Sequence, residues 1–142
     1  MRKLSTILCL FVLLLGVALI SSSPDANGQK GRPTMPKPHL IVLNPSAAES
    51  TDVFKGPPET VTMRSGMMVL APSKSVGKHS TRTFEEAVIV LAGTGEMRIS
   101  GGEIFKLKPY CIAYCPPATE HDVINTGSDT LRYVWLVAKA QP

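Results

Sequence analysis

The sequence lacks the features of a nucleic-acid-binding protein. It contains 15 lysines and arginines against 11 aspartates and glutamates, and aromatic residues make up only 6% of it. Proteins that bind nucleic acids usually cluster their basic residues in one patch and interleave them with aromatic side chains. Apart from a small group at Lys30, Arg32 and Lys37, the basic residues here are dispersed. We therefore expect a solvated surface and no nucleic-acid partner.

Helical periodicity is also missing. No stretch keeps apolar residues at helical spacing over three turns, and from residue 59 onward short apolar runs alternate with turns rich in glycine and proline. This pattern is typical of an all-β sandwich or barrel. Strand pairing between two barrels shields sheet edges, so we also expect a homodimer. The expected strands are residues 60–64, 67–70, 87–91, 96–99, 112–114, 123–124 and 131–138.

Cysteines are few, and their spacing argues against a disulfide. The chain has three, at Cys9, Cys111 and Cys115. In an extended strand, residues four positions apart have Cα atoms about 13 Å from each other, which is too far for a disulfide bond. We expect Cys111 and Cys115 to be unpaired and to pack as small apolar side chains.

The one long apolar run lies at the N-terminus. Two basic residues precede a mostly apolar stretch at residues 4–20, and a polar break follows at residues 21–24. This order is typical of a secretory signal peptide. Small residues near position 28 predict cleavage before Gln29 and a secreted or periplasmic protein. The alternative is an uncleaved anchor, because the run is close to the shortest length that spans a bilayer. We expect membrane contact only in that case.

The rest of the chain divides into two parts. Residues 29–58 begin with a stretch rich in proline, glycine and serine, which predicts a flexible tether. Within it, residues 40–43 are a candidate first strand. Residues 59–142 carry the strand-and-turn pattern and are enough for one core. The expected organisation is a signal peptide over residues 1–28, the tether, and one barrel domain.

Two distant segments contain residue types that bind metals. His79 is followed by the adjacent carboxylates Glu85 and Glu86, and His121 lies in a second segment. Two imidazoles and one carboxylate form the facial triad that holds a divalent transition metal and leaves coordination positions open. Adjacent residues of a strand face opposite sides, so only one glutamate can point inward. Apolar neighbours on both sides leave that choice open.

The spacing within these segments resembles that of the cupins, small double-stranded β-helix (jelly-roll) barrels. The positions that match the two cupin motifs are His79, Glu86, Gly93, Pro116, His121 and Asn125. The resemblance extends over residues 60–138. It implies an all-β cupin barrel, and it favours Glu86 over Glu85 as the inward carboxylate.

The chain departs from the cupin pattern at the second histidine of the first motif, which is replaced by Thr81. Three positions that carry glycine in the motifs are also different: Ser73, Tyr110 and Ala118. Cupins with all four ligands hold their metal through three imidazoles and one carboxylate. The resemblance therefore implies three retained ligands, with Thr81 as a weak substitute. The implied ligands for Fe, Mn, Zn, Ni or Cu are His79, Glu86 and His121.

Two functions are compatible with this pattern. The first is a metal-dependent enzyme acting on a small molecule, with the metal as Lewis acid or redox centre; no catalytic residue is evident outside the three ligands. The second is a non-catalytic, metal-free barrel that binds a small molecule among Val, Met and Tyr side chains. The metal content of the mature protein distinguishes them.

Overall fold

The computed structural model describes residues 35–140, which form nine β-strands and no helix. Short apolar runs with turn residues at both ends account for this, because none is long enough to bury one face of a helix. The strands are β1 (Thr51–Lys55), β2 (Arg64–Leu70), β3 (His79–Ser80), β4 (Phe84–Ala92), β5 (Gly95–Ile99), β6 (Ile104–Leu107), β7 (Ile112–Cys115), β8 (Glu120–Ile124) and β9 (Leu131–Lys139).

The strands form two antiparallel sheets. One sheet has the order β1-β2-β9-β4-β7, and the other has the order β3-β8-β5-β6. Side chains from both sheets form one core, so the sheets pack face to face as a double-stranded β-helix. The all-β barrel expected from the sequence is thus confirmed.

The core consists of side chains that alternate along the strands. In β4, Glu86, Val88 and Val90 are buried, and Glu85 and Leu91 are exposed. Burying one valine side chain fully contributes about 1.5–3 kcal/mol to stability. The core residues are Leu70, Val88, Val90, Met97, Leu107, Ala113, Cys115, Val123, Leu131 and Tyr133.

Strand β2 runs through a pair of residues that the sequence assigns to a turn. A strand was expected over residues 60–64, ending at Ser65 and Gly66, but residues 60–63 form no strand, and Ser65 and Gly66 are paired with β9. The indole of Trp135 explains the glycine, because a Cβ at Gly66 would lie 2.6 Å from its Nε1 atom. The Ser65 hydroxyl donates a hydrogen bond of 2.7 Å to the Trp135 carbonyl oxygen. The predicted break was therefore wrong, since Gly66 serves side-chain packing rather than a turn.

The first strand also differs from expectation. Residues 40–43 form no strand, and the side chains of Leu40 and Val42 are exposed. Strand β1 (Thr51–Lys55) pairs with β2 instead, so part of the expected tether belongs to the barrel. The apolar run between Pro38 and Asn44 was therefore a misleading signal.

The signal peptide predicted for residues 1–28 lies outside the described residues, as does Cys9. Within residues 35–140, no helix is long and apolar enough to span a membrane. Cys111 and Cys115 are free thiols, as expected. Cys115 is fully buried, with its sulfur 3.4 Å from that of Met97.

At three positions the cupin motifs carry glycine and this chain does not. The backbone there keeps the conformation that glycine would adopt. Ser73, Tyr110 and Ala118 have φ angles of 63°, 68° and 58°. A left-handed residue other than glycine is strained by about 1–2 kcal/mol. The retained Gly93 has a φ of 78°, and a Cβ there would lie 2.5 Å from the Thr130 carbonyl oxygen. The cupin turn geometry therefore survives the loss of three glycines.

Candidate metal centre

The two motif histidines meet across neighbouring strands. His79 of β3 and His121 of β8 are directly paired residues in the antiparallel register. Directly opposite residues point to the same face of a sheet. Their ring centroids are accordingly 4.4 Å apart, with an interplanar angle of 55°.

Glu86 completes the cluster from the opposite sheet. It lies on the inward side of β4, and its Oε2 atom is 3.3 Å from Nε2 of His121. One ligand atom from each of His79, Glu86 and His121 lies within 4.8 Å of the other two. Glu85 is exposed and accepts a hydrogen bond of 3.2 Å from the Tyr114 hydroxyl. The structure thus places Glu86, and not Glu85, beside the histidines.

The environment of His121 fits a bound cation. Its side chain is fully buried, and Nε2 makes no hydrogen bond within the described part of the chain. A neutral imidazole with no proton on Nε2 would leave this buried atom without a partner, which is unfavourable by about 1–3 kcal/mol; a bound cation, or a proton that pairs Nε2 with Glu86, relieves this. A divalent metal would satisfy this nitrogen, the adjacent carboxylate and the second imidazole at once. The three donors therefore fit the group that the motif implies.

The pKa of His121 reflects the same surroundings. Burial lowers it, but the neighbouring Cys115 and Glu86 more than compensate and raise it to about 10. Without a metal, this raised pKa favours a proton on the imidazole and an ion pair with Glu86. Because an imidazole nitrogen must lose its proton to bind a metal, a cation entering the site has to displace this proton.

Hydrogen bonds orient His79 towards the cluster. Its Nδ1 atom donates to the Gly77 carbonyl oxygen at 2.8 Å, which leaves Nε2 as the ligand atom. The Gly77 amide in turn donates to Asp122 Oδ1 at 3.0 Å, and the Ser75 hydroxyl donates to Asp122 at 2.7 Å. Such outer partners set the tautomer and direction of a ligating histidine. Ser75 and Asp122 were missed because their role depends on contact between distant segments.

Thr81 lies in the wall of a cavity beside the cluster, and its hydroxyl has two backbone partners. Oγ1 donates to the Pro116 carbonyl oxygen at 2.8 Å and accepts from the Thr119 amide at 2.9 Å. These bonds hold the turn that leads into β8 and His121. At the position of the missing imidazole, the threonine thus supports the second motif.

The second-motif asparagine, Asn125, serves the turns at the far end of β8. Its Nδ2 atom donates to the carbonyl oxygens of Leu70 and Asp129, and Oδ1 accepts from the Gly127 amide. The side chain is fully buried. It joins the end of β2 to the β8–β9 turn and is not part of the metal cluster.

A cavity of about 360 Å³ opens next to the cluster. Valine, methionine and tyrosine side chains line it, as the binding-barrel hypothesis expected, together with other residues that the sequence did not indicate. Trp135 packs against the core and also lines this cavity. The lining residues are Arg64, Met68, Val76, His79, Ser80, Thr81, Arg82, Phe84, Glu86, Val123, Tyr133, Trp135 and Val137.

The fold and the cluster together define a class of protein, a small antiparallel jelly-roll barrel with two histidines and a glutamate beside an internal cavity. Residues 66–137 match the family model of the cupin domain. This match spans half of the chain, so the chain belongs to the cupin family. The comparison with curated proteins gave no match.

Solved structures with the same fold come from distant organisms. A Cupin 2 conserved barrel domain protein from Salinispora arenicola is 18% identical, with a TM-score of 0.60 over 73% of this chain and 91% of that one. An RmlC-like cupin from Methanocaldococcus jannaschii is 18% identical, with a TM-score of 0.59 over 72% and 91%. The Schizosaccharomyces pombe Cnp3 cupin domain is 15% identical, with a TM-score of 0.58 over 64% of each chain. At these identities the likeness shows the fold alone.

Proposed function

We propose that this cupin binds a divalent transition metal through His79, Glu86 and His121 and acts as a metal-dependent enzyme on a small molecule in the adjacent cavity. The observation that carries the proposal concerns the Nε2 atom of His121, a fully buried nitrogen that lies 3.3 Å from the Glu86 carboxylate. It lies with two further donors in one compact cluster. The candidate metals are Fe, Mn, Zn, Ni and Cu, which imidazole and carboxylate ligands accept.

Each part of the site has a distinct role in this proposal. His79 and His121 supply imidazole nitrogens, and Glu86 supplies a carboxylate oxygen. A bound metal of this kind provides Lewis-acid or redox chemistry, with open positions for a substrate. The half-buried side chains of Met68 and Trp135 form an apolar wall beside the ligands. This wall excludes water and orients the substrate.

A metal-free binding barrel is the second candidate function. Thr81 favours it, because its hydroxyl is already engaged by Pro116 and Thr119 and only three donors converge. The protonated His121 paired with Glu86 is also a satisfactory arrangement of charges without a metal. In this case the cavity would hold a ligand without changing it.

The metal content of the purified mature protein tests the first proposal. We expect close to one divalent transition ion per chain, measured by elemental mass spectrometry after extensive dialysis. His121→Ala should remove most of it, because His121 is the fully buried donor. If the wild-type protein contains no metal and takes up none when it is supplied, the metal-free barrel is the better description.

We also propose that the chain is exported, on the strength of its N-terminal sequence alone. Removal of residues 1–28 would produce a mature protein that begins at or near Gln29. N-terminal sequencing of secreted material tests this. A chain that still starts at Met1 and remains in the membrane would establish the anchor instead.

A homodimer remains our proposal for the quaternary structure. Strands β6 and β7 are sheet edges, and Ile104, Ile112 and Tyr114 on them are at least half exposed. Exposed apolar edges favour association. Light scattering should give twice the chain mass, and Ile112→Lys should reduce it to one chain. Leu40→Lys, at another exposed apolar position, should have no effect. A wild-type monomer at high concentration would contradict the proposal.

A further inference from the structure

Two arginines line the cavity beside the metal cluster, and neither forms an ion pair within residues 35–140. Arg64 and Arg82 both contribute to its wall. The ion pairs among residues 35–140 involve other basic groups, so both guanidinium groups lack a carboxylate. Glu86 is the one carboxylate among the lining residues, so the two arginines outnumber it. The cavity therefore carries uncompensated positive charge.

The backbone holds Arg82 at the cavity in a strained conformation. Its φ angle is 53°, in the left-handed region. Its amide donates to the Ser80 hydroxyl at 3.1 Å, and its carbonyl oxygen accepts from the Ala118 amide at 2.8 Å. Strained residues that the surrounding structure holds in place concentrate at functional sites. These hydrogen bonds fix the backbone position from which the Arg82 side chain extends.

Arg64 lines the same cavity from β2 of the five-stranded sheet. It is the first residue of β2 and is paired with Val137 of β9, another lining residue. The absence of a side chain at Gly56 leaves room for its aliphatic stem, since a Cβ there would lie 3.3 Å from Cγ of Arg64. The two arginines of the cavity wall thus come from separate elements, β2 and the loop between β3 and β4.

The rest of the wall is mostly apolar. Met68, Phe84, Val123 and Trp135 face the cavity. A ligand that fits must therefore combine a small apolar body with a charged group for the arginines. Guanidinium groups bind carboxylates through two parallel hydrogen bonds, and these bonds are stronger than neutral ones.

We propose that the cavity binds a small apolar carboxylate, with Arg64 and Arg82 holding the carboxylate and the apolar wall enclosing the body. This inference rests on the proposed function insofar as it names the class of substrate for the same site. The arginines are charged with or without a metal, so the preference for an anion can be tested separately.

Trp135 provides a direct measurement, because it is the only tryptophan of the chain and faces the cavity. The probes are phenylacetate and hexanoate, each compared with its neutral amide, in titrations that follow tryptophan emission. We expect saturable quenching by at least one acid, with the matching amide binding at least about tenfold more weakly. Arg64→Gln and Arg82→Gln should each weaken binding of the acid about tenfold, because each variant loses one charge-assisted contact with the carboxylate.

Arg98→Gln is the matched control, since it removes the same charge from a residue that pairs with Glu96 outside the cavity. It should bind the acids like the wild type. Unchanged emission spectra and unfolding midpoints would show that the variants are folded. Equal affinity for acid and amide, no binding of either acid, or wild-type affinity in the Arg64→Gln, Arg82→Gln double variant would each overturn the inference.

His121→Ala separates this inference from the metal proposal. If it lacks metal but still prefers the acid to the amide, the arginines select the anion, as proposed. If His121→Ala loses the preference for the acid and the double arginine variant keeps that preference, the metal site binds the anion and the inference is wrong. Selective binding of the acids by a wild-type protein without metal would support the inference and contradict the metal-dependent function.

Discussion

Nε2 of His121 lies 3.3 Å from Oε2 of Glu86, although the two residues belong to different sheets. His79 joins them because it is paired with His121 across β3 and β8. The cluster therefore connects the two walls of the barrel. Its geometry depends on how the sheets pack, and a change at His121 or Glu86 removes a buried polar contact.

Replacing Glu86 by glutamine tests the carboxylate ligand. A neutral amide oxygen is a weaker donor, so we expect metal affinity to fall by more than about tenfold, since even loss of an outer partner can weaken affinity that much. Glu85→Gln makes the same change one residue away at an exposed position and should leave affinity unchanged. Competition with a chromogenic chelator measures both. Equal losses in the two variants would contradict the assigned ligand.

Thr81→His should restore a fourth donor and tighten metal binding, because imidazole is a far better ligand than a hydroxyl. It also removes the hydroxyl that bonds Pro116 and Thr119, so the metal-free variant should lose about 1–3 kcal/mol of unfolding free energy. Denaturant unfolding with and without metal measures both effects. Thr81→Val should show the loss of stability without the gain in affinity. If Thr81→His binds metal no better than Thr81→Val, residue 81 does not face the ion.

Ala118→Gly should stabilise the protein. Ala118 is exposed and has a φ of 58°, so glycine relieves strain without removing a buried contact. The relief of about 1–2 kcal/mol exceeds the entropy that glycine adds to the unfolded chain, and we expect a net gain of about 0.5–1 kcal/mol in urea unfolding. Ala71→Gly, at an exposed turn position without a positive φ, should instead lower stability by about 0.4–1 kcal/mol. A loss in both variants would show that the turn is unstrained.

Acid should weaken the fold partly through Glu96. Hydrogen bonds from Lys106 and Arg98 hold the pKa of Glu96 below its usual value of 4.5. The folded state therefore favours the charged form, and this contribution is complete above the unfolded pKa and disappears as the pH falls through the lower folded value. Unfolding free energy measured from pH 6 to pH 3 should decline less steeply in Glu96→Gln. Glu103→Gln, which changes an exposed glutamate on the same hairpin, should follow the wild type. An identical decline in all three proteins would contradict this role.

Much of the fold could be predicted because its signals are local. The turns at residues 93–95 and 116–117 and the alternation along β4 indicate short antiparallel strands without further information. The spacing of His79, Glu86 and His121 identified the candidate ligands. Where local signals failed, as at Gly66, a distant partner had changed their meaning: this glycine accommodates Trp135 rather than a turn.

The sequence by itself determined the strand-rich architecture and the residue types of the candidate site, since turn chemistry and side-chain alternation act over a few residues. Alternation along the strand left the choice between Glu85 and Glu86 open, and the cupin spacing favoured Glu86. The tertiary structure decided it, because packing against the opposite sheet buries Glu86 and leaves Glu85 exposed. It also decided that Arg64 and Arg82 share one cavity and that the Thr81 hydroxyl supports the second motif. These relationships join residues far apart in the chain, and they exist only once the two sheets pack.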